Sequence, residues 1–117
     1  MKILITIDKN EVAPRFDQTS EILITERQGE KITGQPRIII LPGTSGEDIC
    51  ALATKENISL VICGGIEDTH YQYLKWKKIN VVDGVIGPYE QALHFAIKNK
   101  LKSGAILPGA SICEEHP

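Results

Sequence analysis

The first apolar run, KILITID at residues 2–8, puts Ile3, Ile5 and Ile7 on one side and Leu4 and Thr6 on the other. Such a run predicts a strand buried on nearly both faces, the kind that sits centrally in a sheet. SEILITER (20–27) repeats the β-branched character, QGEK reads as a turn, and KITGQPRIIIL (31–41) predicts a third strand. Pro36 has no backbone donor, which sends that third strand to a sheet edge or a bulge. After Pro42 and Gly43 the period changes. Ser45 is a candidate N-cap, Glu47 and Asp48 suit the positive end of a helix, and Ile49, Leu52 and Ala53 form an apolar stripe reaching to about Asn57. SLVICGG (59–65) predicts a buried fourth strand and EDTHYQYLKWKK (67–78) a short helix. INVVDG (79–84) is a fifth strand, and Pro88 opens a helix in which Tyr89, Ala92, Leu93, Ala96 and Ile97 share a face.

Three strands followed by alternating helices and strands predict an α/β fold. Two antiparallel hairpin links come first, then βαβ crossovers. The result is a mixed five-stranded sheet in the order 3-2-1-4-5, with helices on both faces and the first, fourth and fifth strands parallel. Residues 1–101 read as one domain, and 102–117 as a C-terminal tail.

Composition narrows the classes. Of the 117 residues, 42% are hydrophobic and 24% charged, with a net charge of −2, so there is no broad basic field for nucleic acid. The opening run meets Asp8 and Lys9 too early for a signal-peptide core, and no later stretch approaches a membrane span. A cytoplasmic protein without a membrane partner is expected. Cys50, Cys63 and Cys113 lack tight pair spacing, which argues against a disulfide framework.

In such a sheet ligands bind at the carboxyl ends of the parallel strands. Three loops gather there: residues 8–20, CGGIED (63–68) and DGVIGP (83–88). The two glycine loops each feed a helix N-terminus, where unpaired N–H groups and the macrodipole favour an anion. EVAPRFDQTS (11–20) is long and chemically mixed. In one reading it walls a pocket for an anion, with Arg15 as a fork of donors, Phe16 as anchor and Asp17 fixing its shape. In the other, Arg15 and Asp17 pair with each other and Phe16 plugs the sheet.

Four motifs occur in order: VAPRFD after the first strand, LPG before the first helix, VICGGI after the fourth strand, and GVIGPYEQAL near the end. Together, over roughly residues 1–101, they resemble the dinitrogenase iron–molybdenum cofactor biosynthesis family, a nitrogen-fixation accessory group. That family includes small carriers of nitrogenase cofactor precursors and the C-terminal domain of the cofactor-assembly radical enzyme. The resemblance implies a ribonuclease-H-like topology and a non-catalytic protein that binds or passes on an anionic metal–sulfide cluster. The cargo is an iron–molybdenum cofactor precursor or a related molybdenum, iron or copper sulfide, not fixed by a cysteine motif. Cluster donor and acceptor proteins are the implied partners. The implied binding residues are Arg15, Phe16, Asp17, Cys63, Gly64, Gly65 and His70, with Cys63 and His70 as metal ligands. Two positions depart from the family pattern: Gln18 stands where a histidine often follows RFD, and Glu67 where a glycine is expected after GGI.

Single residues carry bland readings too. Cys63 at the rim is a candidate thiol of lowered pKa, or a small core hydrophobe. His70 points at the rim or packs. Cys50 belongs to the apolar stripe and His94 to a solvated helix face. Cys113 and His116 supply two donors, where a structural metal site wants about four. Trp76 covers an edge or marks a partner surface. Two other functions compete with the carrier. One is a regulatory or interaction module with a vestigial pocket. The other is a divalent-metal-dependent nuclease, for which Asp8 is the one well-placed carboxylate.

Overall fold

The computed structural model describes residues 1–110; Cys113 and His116 lie outside the described residues. β1 (Lys2–Asp8) is the centre of the sheet. Its even and odd positions enter different cores. Leu4 joins one with Ile22, Ile24, Val61 and Cys63, while Ile3, Ile5 and Ile7 join another with Leu23, Leu60 and Ile62. Period-two alternation buried on both sides requires cover on both sides. α1 (Gly46–Lys55) and α2 (Asp68–Trp76) contribute Ile49, Ala53 and Leu74 to the first core, and α3 (Tyr89–Ile97) contributes Ala92 and Ala96 to the second.

The remaining strands are β2 (Glu11–Val12), β3 (Glu21–Gln28), β4 (Lys31–Ile40), β5 (Leu60–Ile62) and β6 (Asn80–Val82). The main path runs β4-β3-β1-β5-β6, with β1, β5 and β6 parallel and β3 and β4 antiparallel to their neighbours. This is the expected order of five strands, and the α/β class with helices on both faces holds. The count does not, because the sheet has six strands. β5 pairs β1 only at Ile3–Ile5, and beyond that point β2 folds back and pairs with Ile7 and Asp8. Lys9, at φ 59°, makes the tight reversal. A two-residue strand is too short to show a period.

β4 is the edge strand, as Pro36 requires. The β3–β4 register breaks between Ile24 and Glu26, beside that proline. α1 starts on the expected cap, with Ser45 Oγ accepting from Asp48 N at 3.2 Å. The segment after residue 101, expected as a tail, lies against the domain as far as residue 110. Ile106 bridges Ile86, and Leu107 is buried against the α3-side core. Its packing over Gly87, where a Cβ would stand 2.7 Å from Leu107 Cβ, is why position 87 is bare.

Candidate functional site

The three loops do meet at the rim. The segment after β2 is fastened at both ends: Val12 N donates to Gly87 O at 2.9 Å and Ala13 N to Thr6 O at 2.9 Å. It is then zipped to the loop after β5. Gly65 N donates to Pro14 O at 2.8 Å, and Phe16 N donates to Gly65 O at 2.7 Å. Gly64 is where the two backbones touch. A Cβ there would stand 2.5 Å from Pro14 O and press on Ala13 O as well. No side chain fits such an approach, which is the local reason for glycine.

Phe16 is fully buried in the core beneath α1 and α2 and is the anchor of the loop. Thr19 Oγ1 closes the following turn by donating to Arg15 O at 2.6 Å. Arg15 spends its fork locally, with Nε and Nη2 each 3.2 Å from an oxygen of Asp17. The hydrogen bond from that guanidinium holds the Asp17 carboxyl below the usual carboxylate range, against the opposing effect of desolvation, with a backbone hydrogen bond and the Arg15 charge adding to it. Of the two readings of this pair, the mutual one is what the structure contains.

Cys63 is fully buried in the α1/α2-side core. Burial first, then the charges of Asp83 and the Cys50 thiol, push its own thiol up to about 12. Of the two readings of Cys63, the buried small hydrophobe is what the structure contains: the zipped loop covers the end of β5 and takes the thiol out of water. His70, partly buried, stands nearer the surface. Its ring stacks at a tilt on Phe16, with centroids 5.6 Å apart, and lies over the bare backbone of Gly46. Nε2 is 3.5 Å from Glu67 Oε1, and Nδ1 is 4.0 Å from Cys50 Sγ.

Three hollows surround this constellation. One of about 370 Å³ is lined by Asp8, Arg15, Gln18 and Glu21 among others. A second of about 300 Å³ lies between α1 and α2, with Glu47, Cys50, His70 and Tyr73 in its wall. A third of about 390 Å³ holds Asp68 and Asp83. Carboxylates outnumber free cationic groups in all three. The N-cap of α2, Glu67, places no side-chain acceptor on the first turn, whereas at α3 Tyr89 N already donates to Asn10 O at 3.0 Å; an anion here would meet backbone donors of α2 rather than a field of positive charge. Among the described residues no three His, Cys, Asp or Glu side chains converge to hold a metal ion, and a nuclease's acidic cluster around Asp8 is not assembled.

Cys50 is the residue that sequence reasoning missed. It sits in the buried stripe as expected, yet it also faces the second hollow opposite His70.

A family model described as dinitrogenase iron–molybdenum cofactor matches residues 1–99. No curated protein matches the chain. Among solved structures, the protein PH0822 superposes with a TM-score of 0.79 at 21% identity, covering 88% of this chain and 94% of that one. A candidate dinitrogenase from Methanocaldococcus jannaschii gives 0.70 at 21%, covering 87% and 92%. The apo form of the orange protein from Desulfovibrio gigas gives 0.68 at 15%, covering 94% and 95%. At these identities the structures establish a shared fold.

Proposed function

We propose a carrier function from one premise: the chain belongs to the dinitrogenase iron–molybdenum cofactor family, whose model spans residues 1–99. In this reading the protein binds an anionic metal–sulfide cluster and passes it on without catalysis. The cluster is an iron–molybdenum cofactor precursor or a related molybdenum, iron or copper sulfide. The partners are cluster donor and acceptor proteins of the cytoplasm, and the sheet is assigned to the ribonuclease-H-like topology. The match over nearly the whole chain carries the reading.

The rim gives it a physical form. Phe16, the Arg15–Asp17 pair, Gly64 and Gly65 fix the shape of the wall. His70, its side chain 15% exposed, supplies the imidazole at this wall, a suitable ligand for iron or copper. Cys63 supports the wall from below as core. With Glu67, Asp68 and Asp83 nearby, attraction between net charges does not hold the cargo. Imidazole ligation and backbone N–H groups do, and a hold of that kind is releasable.

Anaerobic incubation with tetrathiomolybdate, with and without copper or ferrous iron, followed by gel filtration tests this. Coloured, co-eluting molybdenum is expected, reduced in His70→Ala. Glu67→Gln is expected to tighten uptake severalfold, because a like charge at about 4 Å costs on the order of 1 kcal/mol in water. Failure of wild-type uptake rejects the carrier. Gln18 and the closed Arg15–Asp17 pair favour a second reading, an interaction module with a vestigial pocket. Partner capture insensitive to Arg15→Ala and Cys63→Ala, without cluster uptake, is its signature.

A further inference from the structure

The hollow between α1 and α2 contains a donor pair of which the cluster reading uses only His70. Cys50, only 5% exposed, and His70 face each other there with Sγ and Nδ1 4.0 Å apart. A neutral imidazole whose Nε2–H faces the Glu67 carboxylate, 3.5 Å away, presents the Nδ1 lone pair to the thiol. A carboxylate on the far nitrogen is the usual second partner of a metal-ligating histidine. Glu47 lies in the same wall; burial first, then the Glu47 charge, push the Cys50 thiol up to about 11, so the metal has to displace a firmly held proton. Two carboxylates around a thiol and an imidazole attract a cation and repel an anionic cluster.

The donor number selects the ion. With no third His, Cys, Asp or Glu converging among the described residues, a tetrahedral zinc site is incomplete. Copper(I) is satisfied by two donors in a near-linear arrangement and prefers soft sulfur and imidazole. With zinc's bond lengths, about 2.3 Å to sulfur and about 2.0 Å to nitrogen, the two donors would stand about 3.5 Å apart around a tetrahedral ion and about 4.3 Å apart around a linear one. The observed 4.0 Å lies nearer the linear value.

We infer that Cys50 Sγ and His70 Nδ1 form a binding site for a single copper(I) ion, with Glu67 as the positioning residue for the imidazole. On binding, the Cys50 S–H bond breaks and its proton passes to solvent, while an Sγ–Cu bond and an Nδ1–Cu bond form. Copper stays in the +1 state and no electron is transferred. The inference goes beyond the carrier reading, and its test uses copper(I) alone, without sulfide.

Full-length protein is titrated with copper(I) anaerobically against bicinchoninate. One equivalent is expected to bind, at least tenfold more weakly in Cys50→Ala and in His70→Gln, and unchanged in Cys113→Ala. Glu67→Gln is expected to weaken copper binding about 10- to 100-fold, opposite in sign to its effect on cluster uptake. X-ray absorption of the wild-type copper complex is expected to give one sulfur and one nitrogen donor, and this reading stands even where a variant does not fold. Wild-type affinity in Cys50→Ala, loss in Cys113→Ala, or two sulfur donors per copper overturns the site.

Discussion

Gly64 is the residue on which the rim turns. Its hydrogen atoms allow the 13–16 segment and the loop after β5 to share backbone hydrogen bonds, and that contact buries both Phe16 and Cys63. Gly64→Ala forces carbonyls of Ala13 and Pro14 aside, so a loss of about 1–3 kcal/mol is expected in denaturant unfolding; an unchanged midpoint contradicts the contact. The Arg15–Asp17 pair makes a separate prediction. The folded Asp17 pKa is depressed, so the pair contributes above the ordinary carboxylate pKa, and the contribution is lost as pH falls through the folded value. In Arg15→Ala the Asp17 midpoint, followed by NMR, is expected to rise toward the usual Asp value of about 3.9; a static midpoint refutes the pairing. Phe16 as anchor was legible from its place in a mixed loop. The choice between a free and a paired Arg15 was not, since both partners lie two residues apart and either geometry satisfies the sequence. The choice between the two readings of Cys63 was not legible either, because a strand end at a rim suggests exposure, whereas exposure depends on which distant loop covers it.

At the scale of elements, most of the order was visible. The double-faced pattern of β1 placed it centrally, Pro36 placed β4 at the edge, and the Ser45 cap fixed the start of α1. β2 escaped because its pairing depends on the reversal at Lys9 and on the early end of β5, neither of which has a periodic signature. The segment around Leu107 escaped for a related reason. Three apolar residues, Ala105–Leu107, between Gly104 and Pro108 are too few to show a period and read as coil, yet the Leu107 side chain closes the core over Gly87. Leu107 is 3% exposed, so Leu107→Ala is expected to cost roughly 2 kcal/mol or more in guanidinium unfolding. A change below about 0.5 kcal/mol would mean that the segment is not part of the folded unit.

Over the whole molecule, two cores on opposite faces of one sheet hold three rim loops in register. The rim so formed is acidic: Glu67, Asp68 and Asp83 lie around the start of α2, which no side chain caps. No helix among the described residues is long and apolar enough to cross a membrane. Family membership was legible from four ordered motifs, because glycine- and proline-bearing loops constrain backbone geometry at several separated places. The charge of the rim was not legible, since it depends on which carboxylates of different loops converge. The most direct measurement is the molybdenum, iron, copper and sulfide content, with the visible absorption spectrum, of wild-type protein purified anaerobically and then given tetrathiomolybdate with copper or iron. The carrier function predicts retained metal and sulfide with sulfide-to-metal charge-transfer bands that co-elute with the protein. A colourless protein that takes up nothing contradicts it.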